Sequence, residues 1–411
     1  MSFSVAKRKR NQQLTNLKNR SVLLGVSGGV AAYKAVELVR RLKDQGASVT
    51  VMMTGAAQQF ITPLSLQVAS QNTVYTSLFQ EPLTHISVPA AADIMVVAPA
   101  TANSIGKFAN GIADDILSTA FLTFRGPVVI APSMNGKMYE HPVVQQNMKK
   151  LLSLGIIQTG PDSGPLACGE EGMGRLAEVD DIVEAVIAAL TPKDLTGQKI
   201  IVTAGPTREY LDPVRFISNR SSGKMGFSLA KTARNRGAAV VLISGPTSLK
   251  IPQGLTFLRV DTSDQMLSAV REETERGASA LIMAAAVADF RPASKSQVKV
   301  EKKEAASLLL SSTEDIVSCI AQGKKRPFII GFAAETGKRI DRAREKMRRK
   351  KMDMIVFNDV TENGAGFETD TNRVVIMDNK KGVTQTKLMS KDDVANAILN
   401  HYRKINRKIK T

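Results

Sequence analysis

The chain reads as an α/β protein made of two doubly wound, mainly parallel, Rossmann-like domains. Three observations predict this. A strand–turn–helix–strand unit begins twice, at residues 21–54 and again at 199–244. The other strand-like segments are short continuous apolar runs, as a sheet covered on both faces requires, rather than alternating ones. The 411 residues are 43% hydrophobic but only 5% aromatic, with no Trp, which suits layers of Ala, Val, Ile and Leu.

The elements follow in order. SVLLGVS is a strand, a Gly turn follows, and AAYKAVELVRRLKDQGA is a helix in which Ala32, Ala35, Val39 and Leu42 recur at helical spacing before Gly46 stops it. SVTVMMT closes this first βαβ unit, whose crossover should be right-handed. DIMVVAPA and GPVVIAP continue the sheet. The polar stretch LTPKDLTGQK, with Pro192 and Gly197, reads as a linker at 191–198. KIIVTAG, a long basic loop, GFSLAKTARNRGA and AVVLIS repeat the first plan, and SALIMAAAVADF, PFIIGFAAE and DMIVFND supply further strands. The boundaries expected are therefore a basic tail at 1–19, a domain at 20–190, a linker at 191–198, a domain at 199–400 and a basic tail at 401–411.

The formal net charge of +18 is confined to three segments. Residues 1–20 and 401–411 hold six and five Lys/Arg with no acid, and 338–351 hold nine against two acids. Basic tails of this kind are commonly solvated. With no aromatic interleaving and no zinc spacing, nucleic-acid binding is not the expected main function. No apolar run reaches membrane-spanning length, and the basic N-terminus lacks an apolar signal core. Two Cys cannot build a disulfide framework, so free thiols in the cytoplasm are expected.

Five places carry candidate chemistry. GVSGGVAAYK follows the first strand; Ser27, Gly28 and Gly29 would let backbone amides and a hydroxyl reach one phosphate at the helix start, though the segment is not a dinucleotide G-x-G-x-x-G fingerprint. His85 is one of only three His, and Asn135 leaves a strand in APSMN where its amide could hold a carboxylate. Cys168 sits among glycines in GPLACGEEGMGR, a setting that could close over a site, whereas Cys319 in IVSCI lies in an apolar run as a buried structural Cys would. TAGPTREYLDPVRFISNRSSGKMG gathers Arg208, Arg215, Arg220 and Lys224 around a Gly-rich helix entry, a setting for phosphorylated or carboxylated small molecules.

GVSGGVAAYK, MTGAAQQFITPLSL, HIS, APATANSIGK, APSMN and GPDSGPLACGEEGMGR together resemble the flavin-containing cysteine decarboxylases. TAGPTREYLDPVRFISNRSSGKMG resembles phosphopantothenate–cysteine ligase. Both in one chain, from about residue 20 to 400, resemble the bifunctional phosphopantothenoylcysteine decarboxylase/phosphopantothenate–cysteine ligase family of coenzyme A biosynthesis. The resemblance implies a flavodoxin-like flavin domain followed by a nucleotide-binding ligase domain. FMN would bind through Ser27, Gly28, Gly29, Thr54, Thr101 and Asn103. His85 would act during substrate oxidation, Asn135 would orient the carboxylate, and Cys168 would return a proton, its thiol being mostly protonated at neutral pH.

In the second domain, joining an acid to an amine requires an activated acyl group, and cations around a triphosphate, usually with magnesium. The resemblance implies CTP as that nucleotide, lying along Met283, Ala284 and Ala285 with Asp289 and Lys299 as polar contacts. Asp289 is also the candidate Mg2+ ligand. Glu314, Asp315, Ile316, Val317 and Phe332 would complete the cytidine pocket, and Lys346 and Lys350, one helical turn apart, would face the triphosphate. Asn219 would bind the acyl-cytidylate and Arg215 would steer 4′-phosphopantothenate. Lys299 is carried as a catalytic candidate as well. The chain departs from the family pattern at Ser87-Val88, Ala113-Asp114-Asp115, Arg220 and Thr313-Glu314. The partners implied are 4′-phosphopantothenate, cysteine and CTP, with no membrane, and a homo-oligomer of trimeric flavin domains and dimeric ligase domains. A non-catalytic flavin- or nucleotide-binding regulator of the same fold is the alternative.

Overall fold

The computed structural model describes residues 17–165, 169, 171–301, 307–335, 337, 340–359, 361, 362, 364, 366, 368–380 and 382–407. The chain divides into two compact units, Met1–Thr191 and Pro192–Thr411.

In the first unit, β1 (Ser21–Val26), β2 (Ser48–Met53), β3 (Val74–Tyr75), β4 (Ile94–Ala100), β5 (Val128–Pro132) and β6 (Ile157–Gln158) form one sheet in the order β3-β2-β1-β4-β5-β6. Every pair is parallel. Successive side chains point to opposite faces, so each continuous apolar run serves two cores. Val22, Leu24 and Val26 pack with Leu38, Val39 and Leu42 of the helix Ala35–Asp44 and with Ile182 and Val186 of Val179–Leu190. Leu23, Met95 and Val97 pack on the other side with Ile105, Phe108 and Leu117. The expected helix begins as a 3-10 turn, Val30–Lys34, before it becomes α at Ala35. β7 (Asp162–Pro165) and β8 (Glu171–Arg175) form an antiparallel hairpin flanking the segment that contains Cys168.

The second unit adds β9 (Lys199–Ala204), β10 (Arg208–Tyr210), β11 (Phe216–Ser218), β12 (Ala239–Ser244), β13 (Thr256–Arg259), β14 (Ala280–Met283), β15 (Phe290–Pro292), β16 (Leu310–Ser312), β17 (Phe328–Glu335), β18 (Met354–Asp359), β19 (Thr371–Asn372), β20 (Val375–Asp378), β21 (Val383–Gln385) and β22 (Met389–Ser390). Its main sheet has eight strands in the order β13-β12-β9-β14-β17-β18-β20-β21. It is parallel through β18 and antiparallel at β20 and β21. Ile200 and Val202 face the helices Lys224–Asn235 and Lys391–Arg407 on one side; Ile201 faces Ser263–Glu275 on the other.

The tail expected at 401–411 begins inside the helix Lys391–Arg407, where Tyr402 and Ile405 are buried in the core, and two further local departures from the expected layout have clear causes. The run SALIMAAAVADF is a strand only through Met283. Beyond it the backbone turns, because Ala285 N–H donates to Thr203 Oγ1, Ala286 N–H to Gly205 O and Ala288 N–H to Thr207 Oγ1. The stretch after Pro192 is fastened to the second unit. Leu195 is fully buried, Lys193 Nζ donates to Asn235 O, and Asp194 accepts from the buried Arg236 guanidinium at 2.8 and 2.9 Å.

Candidate functional site

Both strand orders change direction at a switch point, between β1 and β4 in the first sheet and between β9 and β14 in the second. Loops leaving the carboxyl ends of adjacent strands there run to opposite faces and leave a crevice between them. Each unit has a cavity at that place.

The first cavity, of about 1060 Å3, is lined by Ser27, Gly28, Gly29, Thr54, Thr101, Asn103 and Asn135, all seven expected from the sequence. Ser27 is buried, and its hydroxyl is fully engaged: Oγ donates to Pro99 O at 2.7 Å and accepts from Thr101 N–H at 3.0 Å. It therefore ties the loop after β1 to the loop after β4, and the donors left over in this loop are main-chain amides. Among the described residues, the Gly28 and Gly29 N–H groups have no acceptor. Gly28 is required sterically, because a Cβ there would lie 2.4 Å from Ala56 Cβ. Thr54 and Thr101 cap the turns that carry them, accepting from Ala57 N–H and Ser104 N–H. Asn135 Oδ1 accepts from Lys137 N–H at 2.9 Å, so the donor end of this amide is the one suited to a substrate carboxylate.

Apolar side chains that are otherwise exposed, Tyr33, Phe60 and Met138, also line the cavity. Unpartnered amides beside an apolar wall fit a planar aromatic group bearing a phosphate. Lys107 and Asp115 are lining residues that sequence reasoning missed. Lys107 Nζ bridges Asp114 at 2.7 Å and Asp115 at 2.8 Å. Burial opposes the charged forms, but this bridge outweighs it, raising the Lys107 ammonium and lowering the Asp115 carboxyl. The Asp114-Asp115 departure noted above thus has a structural use.

His85 does not line this cavity. It sits on the helix Thr84–Ala91, with Nδ1 buried and without a hydrogen-bond partner. In the same stretch of chain Phe79, Leu83 and Ile86 are 94%, 64% and 48% exposed. Cys168 lies outside the described residues; Pro165, Gly174 and Arg175, on the two strands flanking it, line the cavity.

The second cavity, of about 650 Å3, brings together Asn219, Met283, Ala284, Ala285, Asp289, Glu314, Asp315, Ile316, Val317, Phe332, Lys346 and Lys350. The wall made by the segment after β14 hangs on the Thr203 and Thr207 hydroxyls already described. Asn219 Nδ2 donates to Val287 O at 2.9 Å, and Thr313 Oγ1 donates to Ala288 O at 2.7 Å. Asp315 caps the helix Ile316–Ala321 through Ser318 N–H and pairs with Lys350 at 2.7 Å. Burial raises the Asp315 carboxyl, but Lys350 and the Ser318 N–H outweigh it and hold it below the usual range. Lys346 Nζ donates to Phe332 O at 3.1 Å; burial, then the Lys350 charge, depress its ammonium.

The other end of this cleft holds residues that sequence reasoning missed. Lys391 is 5% exposed and donates to Gly366 O and Thr369 O. Burial first, then the neighbouring Lys224, lower its pKa to about 8. Lys224 pairs with Asp370 at 2.6 Å, and Arg220 with Glu368 at 3.0 Å. Asn358 and Asn372 join the lining. Nothing in LMSKDDVAN marks Lys391 in advance, since only the fold brings it to the cleft.

Arg215 and Lys299 are not among the lining residues. Arg215 Nη2 donates to Val300 O, and its backbone N–H to buried Asp212, which fastens the stretch carrying Lys299 beside the β10–β11 hairpin. Lys299 is exposed. Cys319, expected to be buried, is half-buried, with Sγ 4.0 Å from Glu314 Oε2. It occupies the partly open side of a six-residue helix whose Ile316, Val317 and Ile320 take the core. Among the described residues, no group of three His, Cys, Asp or Glu is placed to hold a metal, and no helix is long and apolar enough to cross a membrane.

Residues 10–191 match the flavoprotein family, and residues 195–405 match the DNA/pantothenate metabolism flavoprotein C-terminal domain. The chain is 46% identical over 392 residues to the coenzyme A biosynthesis bifunctional protein CoaBC of Bacillus subtilis (strain 168), covering 93% of this chain and 96% of that protein. It is 44% identical over 367 residues to the CoaBC of Escherichia coli (strain K12), covering 87% of this chain and 90% of the relative. A solved C-terminal domain of a CoaBC protein is 37% identical, covers 53% of this chain and 99% of its own, and has a TM-score of 0.46. With both halves matched in this order and over this length, the chain belongs to the family of coenzyme A biosynthesis bifunctional CoaBC proteins.

Proposed function

We propose that the chain is a cytoplasmic bifunctional enzyme of coenzyme A biosynthesis. Its second unit condenses 4′-phosphopantothenate with cysteine using CTP, and its first unit decarboxylates the product to 4′-phosphopantetheine with FMN. The observation that carries this is convergence: residues scattered from 27 to 135 meet at one crevice, and residues scattered from 219 to 350 meet at the other.

In the first cavity the Gly28 and Gly29 amides would hold the FMN phosphate, with Thr54, Thr101 and Asn103 beside the flavin. The bound flavin supplies reversible two-electron oxidation of the substrate thiol. The Asn135 amide orients the substrate carboxylate so that carbon dioxide leaves from a fixed geometry. Cys168 holds the proton needed to finish the product. His85 lies away from its own chain's cavity, in a stretch where Phe79, Leu83 and Ile86 are exposed, which supports a subunit interface that presents His85 to a neighbouring copy. A trimer of flavin domains and a dimer of ligase domains is the assembly proposed. Arg215 and Lys299, together outside the lining of their own cleft, would belong to the ligase-domain contact.

In the second cavity Met283, Ala284, Ala285, Glu314, Ile316, Val317 and Phe332 would enclose the cytidine. Lys346 and Lys350 would face the triphosphate, Asp315 keeping Lys350 in place. Mg2+ would arrive on the triphosphate, with Asp289 as its protein contact. Asn219, fixed by the carbonyls of Ala286 and Val287, would bind the acyl-cytidylate as cysteine attacks.

The visible spectrum of the purified protein tests the first half; a colourless protein that rejects added FMN would refute it. Pyrophosphate release from CTP and phosphopantothenate tests the second. Cys168→Ser should abolish decarboxylation while ligation continues, and Asn219→Asp should stall ligation after activation. Loss of both activities in Cys168→Ser, or normal product from Asn219→Asp, would contradict these assignments.

A further inference from the structure

The second unit has another cavity of about 650 Å3, at the amino ends of its parallel strands, sharing only Met352 with the lining of the nucleotide cleft. Arg326 enters it just before β17, Lys351 and Asp353 just before β18, and Asp378 from the end of antiparallel β20. Arg344 and Arg348 enter from the helix Ile340–Arg349. Met347, Met352, Met377 and Val383 make an apolar floor.

The charges around it do not balance internally. Asp353 is held by Arg326 at 2.8 Å, and Asp378 by His401 at 2.8 Å and by the amides of Lys380 and Gly382. The side chains of Arg344, Arg348 and Lys351 have no ion pair or hydrogen bond among the described residues. Nor can the two arginines serve the nucleotide cleft. Lys346 and Lys350 face that cleft, and Arg344 and Arg348 precede them by two residues, about 200° around a helix of 3.6 residues per turn. One helix therefore carries two cationic faces. A helix carboxyl end favours a cation or two, which Lys346 and Arg349 already supply. It does not call for three more around a concave apolar floor.

Lys351 is an independent sign. It follows the helix with φ 51°, in the left-handed region where glycine sits without strain. A long cationic side chain at this position has a use that glycine could not serve.

We propose that this cavity binds a polyphosphorylated small molecule of nucleotide size, distinct from the substrate nucleotide. Arg344, Arg348 and Lys351 take the phosphates through charge-assisted hydrogen bonds, and the methionine floor takes an attached apolar ring. The volume lies within the range of small-molecule sites, about 300–1000 Å3.

Calorimetry on the full chain with CTP saturating the substrate cleft tests this, with inorganic tripolyphosphate as titrant. One site per chain is expected, weakened about tenfold or more in Arg344→Gln/Arg348→Gln, whose CTP affinity and melting temperature stay as in the wild type. The site should persist in Lys346→Gln/Lys350→Gln, which disables the nucleotide cleft; this arm separates failure of the proposal from failure of the cleft reading. Lys351→Gly should melt higher yet bind tripolyphosphate several-fold more weakly, which excludes misfolding as the cause. ATP, titrated in the same way, should bind more tightly than tripolyphosphate. Absence of heat at millimolar tripolyphosphate, or equal affinity in wild type and Arg344→Gln/Arg348→Gln, would overturn the proposal, and ATP no tighter than tripolyphosphate would overturn the ring's place on the methionine floor.

Discussion

The two switch-point crevices share a topology and differ in how they treat charge. In the first, two of the three lining cations are ion-paired, Lys107 with Asp114 and Asp115 and Arg175 with Glu178, and the phosphate contact proposed is with the amides of Gly28 and Gly29. In the second, Lys346, Lys350, Lys224, Arg220 and Lys391 crowd one cleft. A single phosphate on a large aromatic body needs directed amides and apolar area. A triphosphate that must be activated needs several cations held in place around it. The sheet topology places the crevice; the residues in the loops decide what it can hold.

The comparison can be broken most severely at the glycine beneath each crevice. A Cβ on Gly226 would lie 2.5 Å from Ala204 Cβ and 2.8 Å from Thr203 O. Gly226→Val should push the helix Lys224–Asn235 off β9 and cut ligation more than about 100-fold, overpacking of this kind costing about 1–3 kcal/mol or more. Flavin absorbance should survive it, and Gly28→Val should give the reverse pattern. If either substitution removes both activities, the two units are not independent.

Next in size, Lys346→Gln and Lys350→Gln should each raise the KM for CTP about 10- to 100-fold, one charge-assisted hydrogen bond contributing about 1.5–3 kcal/mol. Decarboxylation of supplied phosphopantothenoylcysteine should be untouched. An unchanged KM in both would take the triphosphate away from this helix.

Smaller again are the buried hydroxyls that hang the loops. Ser27→Ala leaves Thr101 N–H without its partner and Pro99 O with only the main-chain N–H of residue 27 at 3.3 Å, and Thr203→Val leaves Ala285 N–H without its partner. Each should cost about 1–3 kcal/mol in denaturant unfolding of its own unit. A cost below about 0.5 kcal/mol would show that water or the loop itself replaces the bond.

The mildest test is pH. Lys391, lowered to about 8, loses its charge well before an ordinary lysine. Attraction for phosphates in the ligase cleft should therefore weaken as pH rises through about 8, seen as a several-fold rise in KM for CTP or phosphopantothenate. Stability moves the other way. The unfolded lysine keeps its proton to about 10.5, so the folded state gains between about 8 and that value. Lys391→Arg should flatten the KM profile; flat wild-type profiles from pH 7 to 9.5 would remove Lys391 from ligand binding.

Much of this layout was legible from sequence, and what was missed has a common cause. Runs such as Leu23-Leu24 and Ile200-Ile201-Val202 announce central strands because every residue is buried, whichever way it points. Motif residues close to strand ends, Ser27 to Gly29 and Met283 to Ala285, fall where a doubly wound sheet must open. The antiparallel β20 and β21 escaped notice because they are four and three residues long and border the sheet's edge. Lys107 and Lys391 escaped because their partners lie in space: Lys107 needs two acids seven and eight residues on, and Lys391 meets Lys224 only when the last helix docks. The Ser27 hydroxyl was expected at the phosphate, and the structure uses it to join two loops.

That last arrangement has a consequence for how the flavin-domain crevice can change. A grip made of main-chain groups constrains its residues by fit rather than by side-chain chemistry: Ala56 leaves no room for a Cβ at Gly28, and proline would lack the N–H. Tyr33, Phe60 and Met138 are then the replaceable part of the lining. Swapping them could refit the chamber to another flat prosthetic group, while the amides proposed for the phosphoryl tail stay where they are.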